Sequence, residues 1–600
     1  MCGIFGYSGI NSSLLSLQQV QTMGEVINYR GPDGCGIYYD KDDAIALGNQ
    51  RLAILDLAHG QQPFVSDDEK IIVVQNGEIF NHVELAQELN KDGYRCKTHC
   101  DTEVILRLYE RDGISGISKL NGMFAIAIYD KNEGALYLVR DRAGEKPLYY
   151  SHDEQFFLFA SEIKSLLKIK KDKALHPDAL NQFMAFNYVP PPLTMFKDIY
   201  HVMPGHWIKI AGNKVEQHCW WDLSSVCTEV KKEEEWIEQF NYILNDAVDI
   251  RLRADVPFGA FLSGGVDSST VVGLMSRHLD SPVKTFCIGF DDPKYDESPF
   301  ALSAAKRFKT DHTMHKVAAN LIELWPMATY HCDQPHGDVS FLPTYKVAEL
   351  AAEHVKMVLT GDGADELFAG YDKYKNFFSR NKNITDQAFR TLYLDNISLF
   401  NLDSRKQLFS DDIQVQMDSL DVHSVLEPLY QKAQGMDLIN QALYIDTMLL
   451  LPGNNLVKPD RMGMAVSIEN RSPFLDYRMI EMAFSMPGEL KLKNGETKYL
   501  YKKAVAPLIG KELTYRKKQM FTVPVGDWFK TRLADLCDDL LKSEKTIARG
   551  IFNYDYVSQL LDNHRADRQN NTREIRALMA VEIWFREVMD DKVEKTTDIF

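Results

Sequence analysis

The sequence predicts two domains of different class: a layered α+β domain of αββα type, then an α/β domain with a parallel sheet and a helical C-terminal region. Three observations predict it. A chain of 600 residues exceeds one ordinary core. Its first part is a series of short apolar or alternating runs bounded by turn residues, interrupted by two helical patterns. From Pro257 onward, strand, glycine-rich turn and helix recur in order, the pattern of a parallel sheet covered by helices.

In the first part the strand candidates are Gly36 to Tyr39, Ala44 to Leu47, Ile71 to Gln75, Met123 to Tyr129, Ala135 to Val139 and Phe156 to Ala160. Val83 to Leu89 and Glu103 to Glu110 carry apolar residues at helical spacing. After Trp221 a polar stretch, Ser224 to Glu235, leads into a long helix beginning near Trp236, which divides the chain into 1–222 and 223–600. Phe258 to Leu262, Lys284 to Phe290 and Lys356 to Thr360 are the strands of the second part; Ser268 to His278, Ser298 to Phe308 and Thr344 to His354 are its helices. From about Tyr371 the chain is helix-rich with Pro and Gly punctuation.

Composition narrows the function. Hydrophobic residues at 45% and charged residues at 26% describe a globular enzyme-like chain, not a disordered one. A net charge of −17 argues against nucleic acid or an anionic membrane as partner. Apolar runs such as Met123 to Tyr129 fall far short of the roughly 20 residues that cross a bilayer. The start, Met-Cys-Gly-Ile-Phe-Gly-Tyr, lacks the basic and apolar regions of a secretory signal, so a cytoplasmic protein is expected. Nine cysteines with no CxxC pair suggest buried thiols rather than zinc or disulfides.

Two constellations carry chemistry. With Met1 removed, Cys2 presents a thiol and an α-amine of ordinary pKa about 7.7–8.0 on one residue, a nucleophile with its own base. Around it stand Arg30-Gly31-Pro32-Asp33, Arg51-Leu52-Ala53-Ile54, Asn76-Gly77-Glu78 and Asp101-Thr102-Glu103-Val104. With Cys2-Gly3-Ile4-Phe5-Gly6 these strings resemble the glutaminase domain of class II glutamine amidotransferases, an N-terminal-nucleophile fold. The resemblance implies that Asn76 and Gly77 form an oxyanion hole beside Cys2. It also implies a glutamine pocket of Arg51, Leu52, Ile54, Asn76, Gly77, Glu78 and Asp101, with Arg51 on the α-carboxylate and Asp101 on the α-ammonium. Read alone, Asn76-Gly77 between two apolar runs is a hairpin turn.

The second constellation begins with Ser263-Gly264-Gly265-Val266-Asp267-Ser268-Ser269, after an apolar strand and opening a helix. Glycines there let backbone N–H groups approach a pyrophosphate at a helix N-terminus. No Gly-Lys-Ser/Thr follows, so this is not the Walker pattern. The string resembles the PP-loop of ATP pyrophosphatases. Gly361-Asp362-Gly363-Ala364-Asp365-Glu366, Glu496-Thr497-Lys498-Tyr499 and the block Lys458 to Asp476 are similar to asparagine synthetase segments. That resemblance implies ATP binding by Leu262, Ser263, Gly264, Gly265, Asp267, Ser268, Ile288, Thr360 and Gly361. Asp267 and Asp365 would hold Mg²⁺, and Lys498 and Asp362 would be catalytic.

The implied reaction is amidation of a carboxylate, aspartate first, with ammonia from glutamine. A carboxylate does not react with ammonia, so ATP must first convert it to an acyl-adenylate; the ammonia must travel unprotonated through a shielded channel. Asp362, where many asparagine synthetases have Glu, and the wording of Glu469-Asn470-Arg471 leave a sugar uronic acid, a peptide or a biosynthetic intermediate as alternative acceptor. An inactive regulatory homologue is disfavoured by intact Cys2, Asp267, Asp365 and Lys498, and a lactam-forming synthetase by the complete glutaminase pattern. The resemblance also suggests a homodimer.

Overall fold

The N-terminal strands pair as two antiparallel sheets because their apolar residues alternate toward a shared interior. In the computed structural model, which describes residues 2–291, 293, 296–317, 321–516 and 525–590, each sheet has six strands. Gly3–Gly9 lies between Ile45–Arg51 and Phe156–Ala160 in one sheet; Ile71–Ile79 and Gly122–Asp130 are neighbours in the other. Ile4, Leu47, Ile72, Val74, Ala127, Leu138 and Phe159 meet between the sheets. Helices His82–Lys91 and Asp101–Asp112 cover the second sheet through Leu85, Leu89, Val104 and Leu108. Leu17–Glu25 and Pro177–Phe186 cover the first. This is the expected αββα sandwich.

Strand Gly3–Gly9 carries little β signal of its own because it contains three glycines. Packing requires them. A Cβ on Gly6 would stand 2.1 Å from the Ala46 carbonyl oxygen.

In the second domain five parallel strands run in the order Asp311–Val317, Lys284–Phe290, Phe258–Phe261, Met357–Leu359, Glu469–Arg471. From the central Phe258–Phe261 the chain moves to one side for two strands, then returns to the other side for Met357–Leu359. The loops leaving Phe261 and Leu359 therefore diverge, opening the crevice where α/β sheets take their ligands. The outer strands were not expected. Asp-His-Thr-Met-His-Lys-Val lacks an apolar run because it is a partly exposed edge of the sheet, whereas Glu-Asn-Arg, at the other edge, is buried with its charges paired: Arg471 bonds Glu469 and Glu78.

Buried charge joins the domains. Arg30, fully buried, donates to Asp460 at 3.0 and 3.1 Å and to Glu162 at 2.8 Å. Arg461 reaches Glu162 at 2.8 Å, Arg471 reaches Glu78 at 2.9 Å, and Asn121 and Arg251 both donate to Asp476. Ions taken out of water survive only in such matched sets.

Lys491 is a buried cation of another kind. Its Nζ donates to Asn440 Oδ1 at 2.8 Å and lies 4.6 Å from the Phe484 ring centre. Burial pulls its pKa down to about 7 from 10.5. Between those values the unfolded chain binds a proton that the folded chain does not, so stability rises with pH across this window. Replacing Lys491 by Met should remove up to about 4 kcal/mol of that rise. Urea denaturation of both proteins at pH 7 and pH 10 reads it; parallel pH profiles would contradict it.

Candidate active site

Cys2 immediately precedes strand Gly3–Gly9 and is only 6% exposed. Its register neighbour, Gly3 opposite Gln50, brings the Arg51 end of the next strand alongside. From the other sheet Asn76, fully buried, accepts from the Cys2 backbone N–H at 3.2 Å and donates to Ser161 Oγ at 3.2 Å. Ser161 Oγ also accepts from Ile4 N–H at 3.0 Å. Arg30 Nε donates to the Cys2 carbonyl at 3.1 Å. Burial pushes the Cys2 thiol pKa up, while hydrogen bonds from the Leu52 backbone and the Asn49 side chain act in the opposite direction.

Asn76-Gly77 is not a hairpin turn. Both residues lie inside strand Ile71–Ile79, opposite Ala125 and Phe124. The pairing explains the glycine: a Cβ on Gly77 would meet the Met123 carbonyl oxygen at 2.1 Å.

Next to them two carboxylates share a buried space. Asp101, at the start of helix Asp101–Asp112, accepts from Ile79 N–H at 2.9 Å and Gln75 Nε2 at 3.1 Å. Glu78 gives one oxygen to Arg471, while its Oε1 is buried without a hydrogen bond. Burial first, and then the Asp101 charge, raise the Glu78 carboxyl well above the ordinary range. A cation brought here would relieve both effects. Arg51 is placed differently from the expected open fork: its guanidinium donates to the carbonyls of Leu55, Asp56 and Leu57 at 2.9, 2.8 and 3.4 Å. It holds the loop that carries Leu52 and Ile54. Those two pack with Phe80 and Met123, and with Ile250 and Met464 of the second domain, as one apolar cluster across the interface.

The second constellation assembles at the switch point of the parallel sheet. Ser263 to Gly265 turn between strand Phe258–Phe261 and helix Val266–His278. Gly264 has φ +69° and faces Phe300 so closely that a Cβ would lie 2.3 Å from its backbone. Ser268 Oγ receives the Ser263 N–H at 3.2 Å and closes the turn. Leu262 and Ile288 are buried, Ile288 inside its strand rather than at its end. Thr360 Oγ1 donates to Asp362 at 2.7 Å, and burial raises the Asp362 carboxyl.

Lys498 unites the parts. Its Nζ lies 2.7 and 2.8 Å from the two oxygens of Asp267 and 2.8 Å from Asp365. Gly361 and Gly370 leave the room: a Cβ on the first would stand 2.7 Å from Asp267 Cβ, and on the second 1.9 Å from Asp365 Oδ1. Among the described residues no group of three or more His, Cys, Asp or Glu could hold a metal alone. Two carboxylates still suit Mg²⁺, which takes one or two protein oxygens and completes its shell with phosphates and water.

Some residues here carried no role in the sequence reading. Lys458, inside the quoted block, donates to Asp338 at 2.8 Å and Ser340 at 3.0 Å. Arg516 donates from Nε to the Gly264 carbonyl at 2.9 Å and pairs with Glu297 at 3.0 Å. Asn49, Ser161 and Arg30 support Cys2. Only Arg30 and Lys458 stood in strings that the resemblance singled out.

Fold and site thus define a two-domain chain with a buried thiol in an αββα sandwich and an acid–lysine cluster in an α/β crevice. Residues 239–586 match the asparagine synthase family and residues 1–221 the glutamine amidotransferase domain. The chain belongs to the asparagine synthase family. It is 33% identical to Asparagine synthetase [glutamine-hydrolyzing] 1 of Bacillus subtilis, over 97% of this chain and 96% of that one. Identity to the third such enzyme of that organism is 28%, covering 88% and 90%. It is also 28% identical to Amidase chry2 of Gibberella zeae, covering 85% and 86%. Membership implies glutamine, ATP and a carboxylate as substrates. No helix among the described residues is long and apolar enough to cross a membrane.

Proposed function

We propose that the protein is a glutamine-hydrolysing asparagine synthetase, with its glutaminase in residues 1–222 and its synthetase in 223–600. The observation that carries this reading is the coexistence, on one chain, of the buried Cys2–Asn76 pair and the Asp267–Lys498–Asp365 cluster.

With Met1 removed, the α-amine of Cys2 takes the thiol proton as Sγ attacks the glutamine carboxamide. The Asn76 side chain and Gly77 N–H stabilise the oxyanion; the Cys2 α-ammonium returns its proton to the nitrogen as the C–N bond breaks, ammonia leaves, and water hydrolyses the thioester to glutamate, restoring the thiol. Glu78 and Asp101 would take the substrate's α-ammonium, and Arg51, whose fork holds the loop carbonyls, would draw the α-carboxylate by its charge rather than by a bidentate pair. In the second domain the acceptor carboxylate attacks the α-phosphorus of ATP, releasing pyrophosphate. Ser263 to Ser268 and the helix N-terminus behind them receive the phosphates, with Leu262, Ile288, Thr360 and Gly361 around the nucleotide. Asp267 and Asp365 would hold Mg²⁺, which when bound neutralises phosphate charge. Ammonia then displaces AMP from the acyl carbon, having passed the apolar wall of Leu52, Ile54, Met123 and Met464, where water is scarce.

The test is formation of asparagine, AMP and pyrophosphate from aspartate, ATP and glutamine. Equal amounts of the three products are expected. A second reading, amidation of a different carboxylate, is favoured by the relative named an amidase and by Asp362, one methylene shorter than Glu. Glutamine-stimulated pyrophosphate release that aspartate does not support, while another carboxylate does, would select it.

A further inference from the structure

The ammonium of Lys498 bridges Asp267 and Asp365, the two carboxylates that would hold Mg²⁺. It touches both oxygens of Asp267 and Oδ1 of Asp365 within 2.8 Å, and the residue is 3% exposed. The backbone is built to hold it there. Lys498 has φ 54°, a left-handed conformation that is strained for a non-glycine residue. Its N–H is tied to the Phe368 carbonyl at 3.1 Å. Gly370 supplies the track for the side chain, since a Cβ there would lie 2.2 Å from Lys498 Cε.

Mg²⁺ ordinarily takes its oxygens at about 2.0–2.1 Å, so an ion held by these two carboxylates would compete with the ammonium for the same oxygens. Two cations cannot share them at low cost. We propose that Lys498 is the competing resident cation of the carboxylate pair, which holds Asp267 and Asp365 together and is displaced when metal arrives with a nucleotide. This rests on the reading that the pair is an Mg²⁺–ATP site. Nucleotide phosphates tip the competition in two ways: they complete the metal's coordination, and they offer the freed ammonium new anionic partners on its flexible stem. Metal alone does neither, so the protein discriminates against metal without ATP. The lysine reaches the pyrophosphate only as the metal takes its place.

The experiment is Mn²⁺ binding to the full chain, read by electron paramagnetic resonance of the free ion, with and without a non-hydrolysable ATP analogue. Lys498→Met and Lys498→Gln are compared with the natural protein, and near-ultraviolet circular dichroism reports whether each variant is folded. Without nucleotide, both variants should bind Mn²⁺ at least about tenfold tighter than the natural protein, equivalent to about 1.4 kcal/mol. Adding Asp365→Asn to either should abolish the gain. With the analogue present the advantage should shrink or reverse. Equal or weaker Mn²⁺ binding by the variants overturns the inference, and if the natural protein still binds Mn²⁺ with the analogue, the Mg²⁺–ATP reading stands. If no protein binds Mn²⁺ even with the analogue, both fall. Should the variants be unfolded, the natural protein decides: the reactivity of Lys498 toward an acylating reagent should stay unchanged in Mn²⁺ alone and change when Mn²⁺ and the analogue are both present, and a reactivity that the two together leave unchanged, or that Mn²⁺ alone changes equally, overturns the proposal.

Discussion

Replacing Cys2 by Ala is expected to reduce glutamine-dependent amidation by on the order of 10⁴-fold or more, the scale of losing a covalent nucleophile. Amidation with added ammonia should persist near the natural rate. The reason is structural separation: Cys2 belongs to the αββα sandwich, whereas the Asp267–Lys498–Asp365 cluster belongs to the parallel sheet of the second domain. The Cys2 side chain is small, and Asn76 and Arg30 hold its backbone rather than its sulfur, so alanine should leave both contacts in place. Paired assays with glutamine and with ammonium chloride decide it. A variant that keeps glutamine activity would place the nucleophile elsewhere, and one that loses ammonia activity too would mean that the two sites are not separable.

The complementary change, Asp267→Asn, should lower pyrophosphate release by roughly 10²–10³-fold, the usual loss when one charge-stabilising group is removed from the reacting centre. Glutamine hydrolysis measured as glutamate formation should continue. Asn preserves the shape of Asp but removes the charge that Lys498 now neutralises and that Mg²⁺ would use. Fold damage should therefore be small compared with the catalytic loss. Unchanged pyrophosphate release would remove Asp267 from the mechanism.

Much of this architecture was legible in the residues. The runs Ile71 to Gln75, Met123 to Tyr129 and Phe156 to Ala160 became strands because alternation and apolar runs report burial directly. Ser298 to Phe308 became a helix with the expected bounds. Cys2 meets Asn76, and Asp267, Asp365 and Lys498 meet one another, so the strings lie in two groups.

Other features had no local signal. Asn76-Gly77 reads as a turn over four residues, yet pairing with Ala125 and Phe124 holds it in a strand. Glu469–Arg471 is a polar tripeptide buried as an edge strand, where Arg471 pairs with Glu78, almost 400 residues away in sequence. Arg516 and Gly264, and Arg30 and Asp460, are likewise distant in the chain.

The sequence by itself determined the sandwich followed by the parallel sheet, and the short strings that hold Cys2, Asn76, Asp267, Asp365 and Lys498, because periodicity and short motifs act within a few neighbouring residues. Only the tertiary structure decided which carboxylates share a cation, which arginine props a loop instead of offering an open fork, and how buried charges join the domains. Those outcomes depend on desolvation and on distances between residues hundreds of positions apart, and neither quantity exists until the chain is folded.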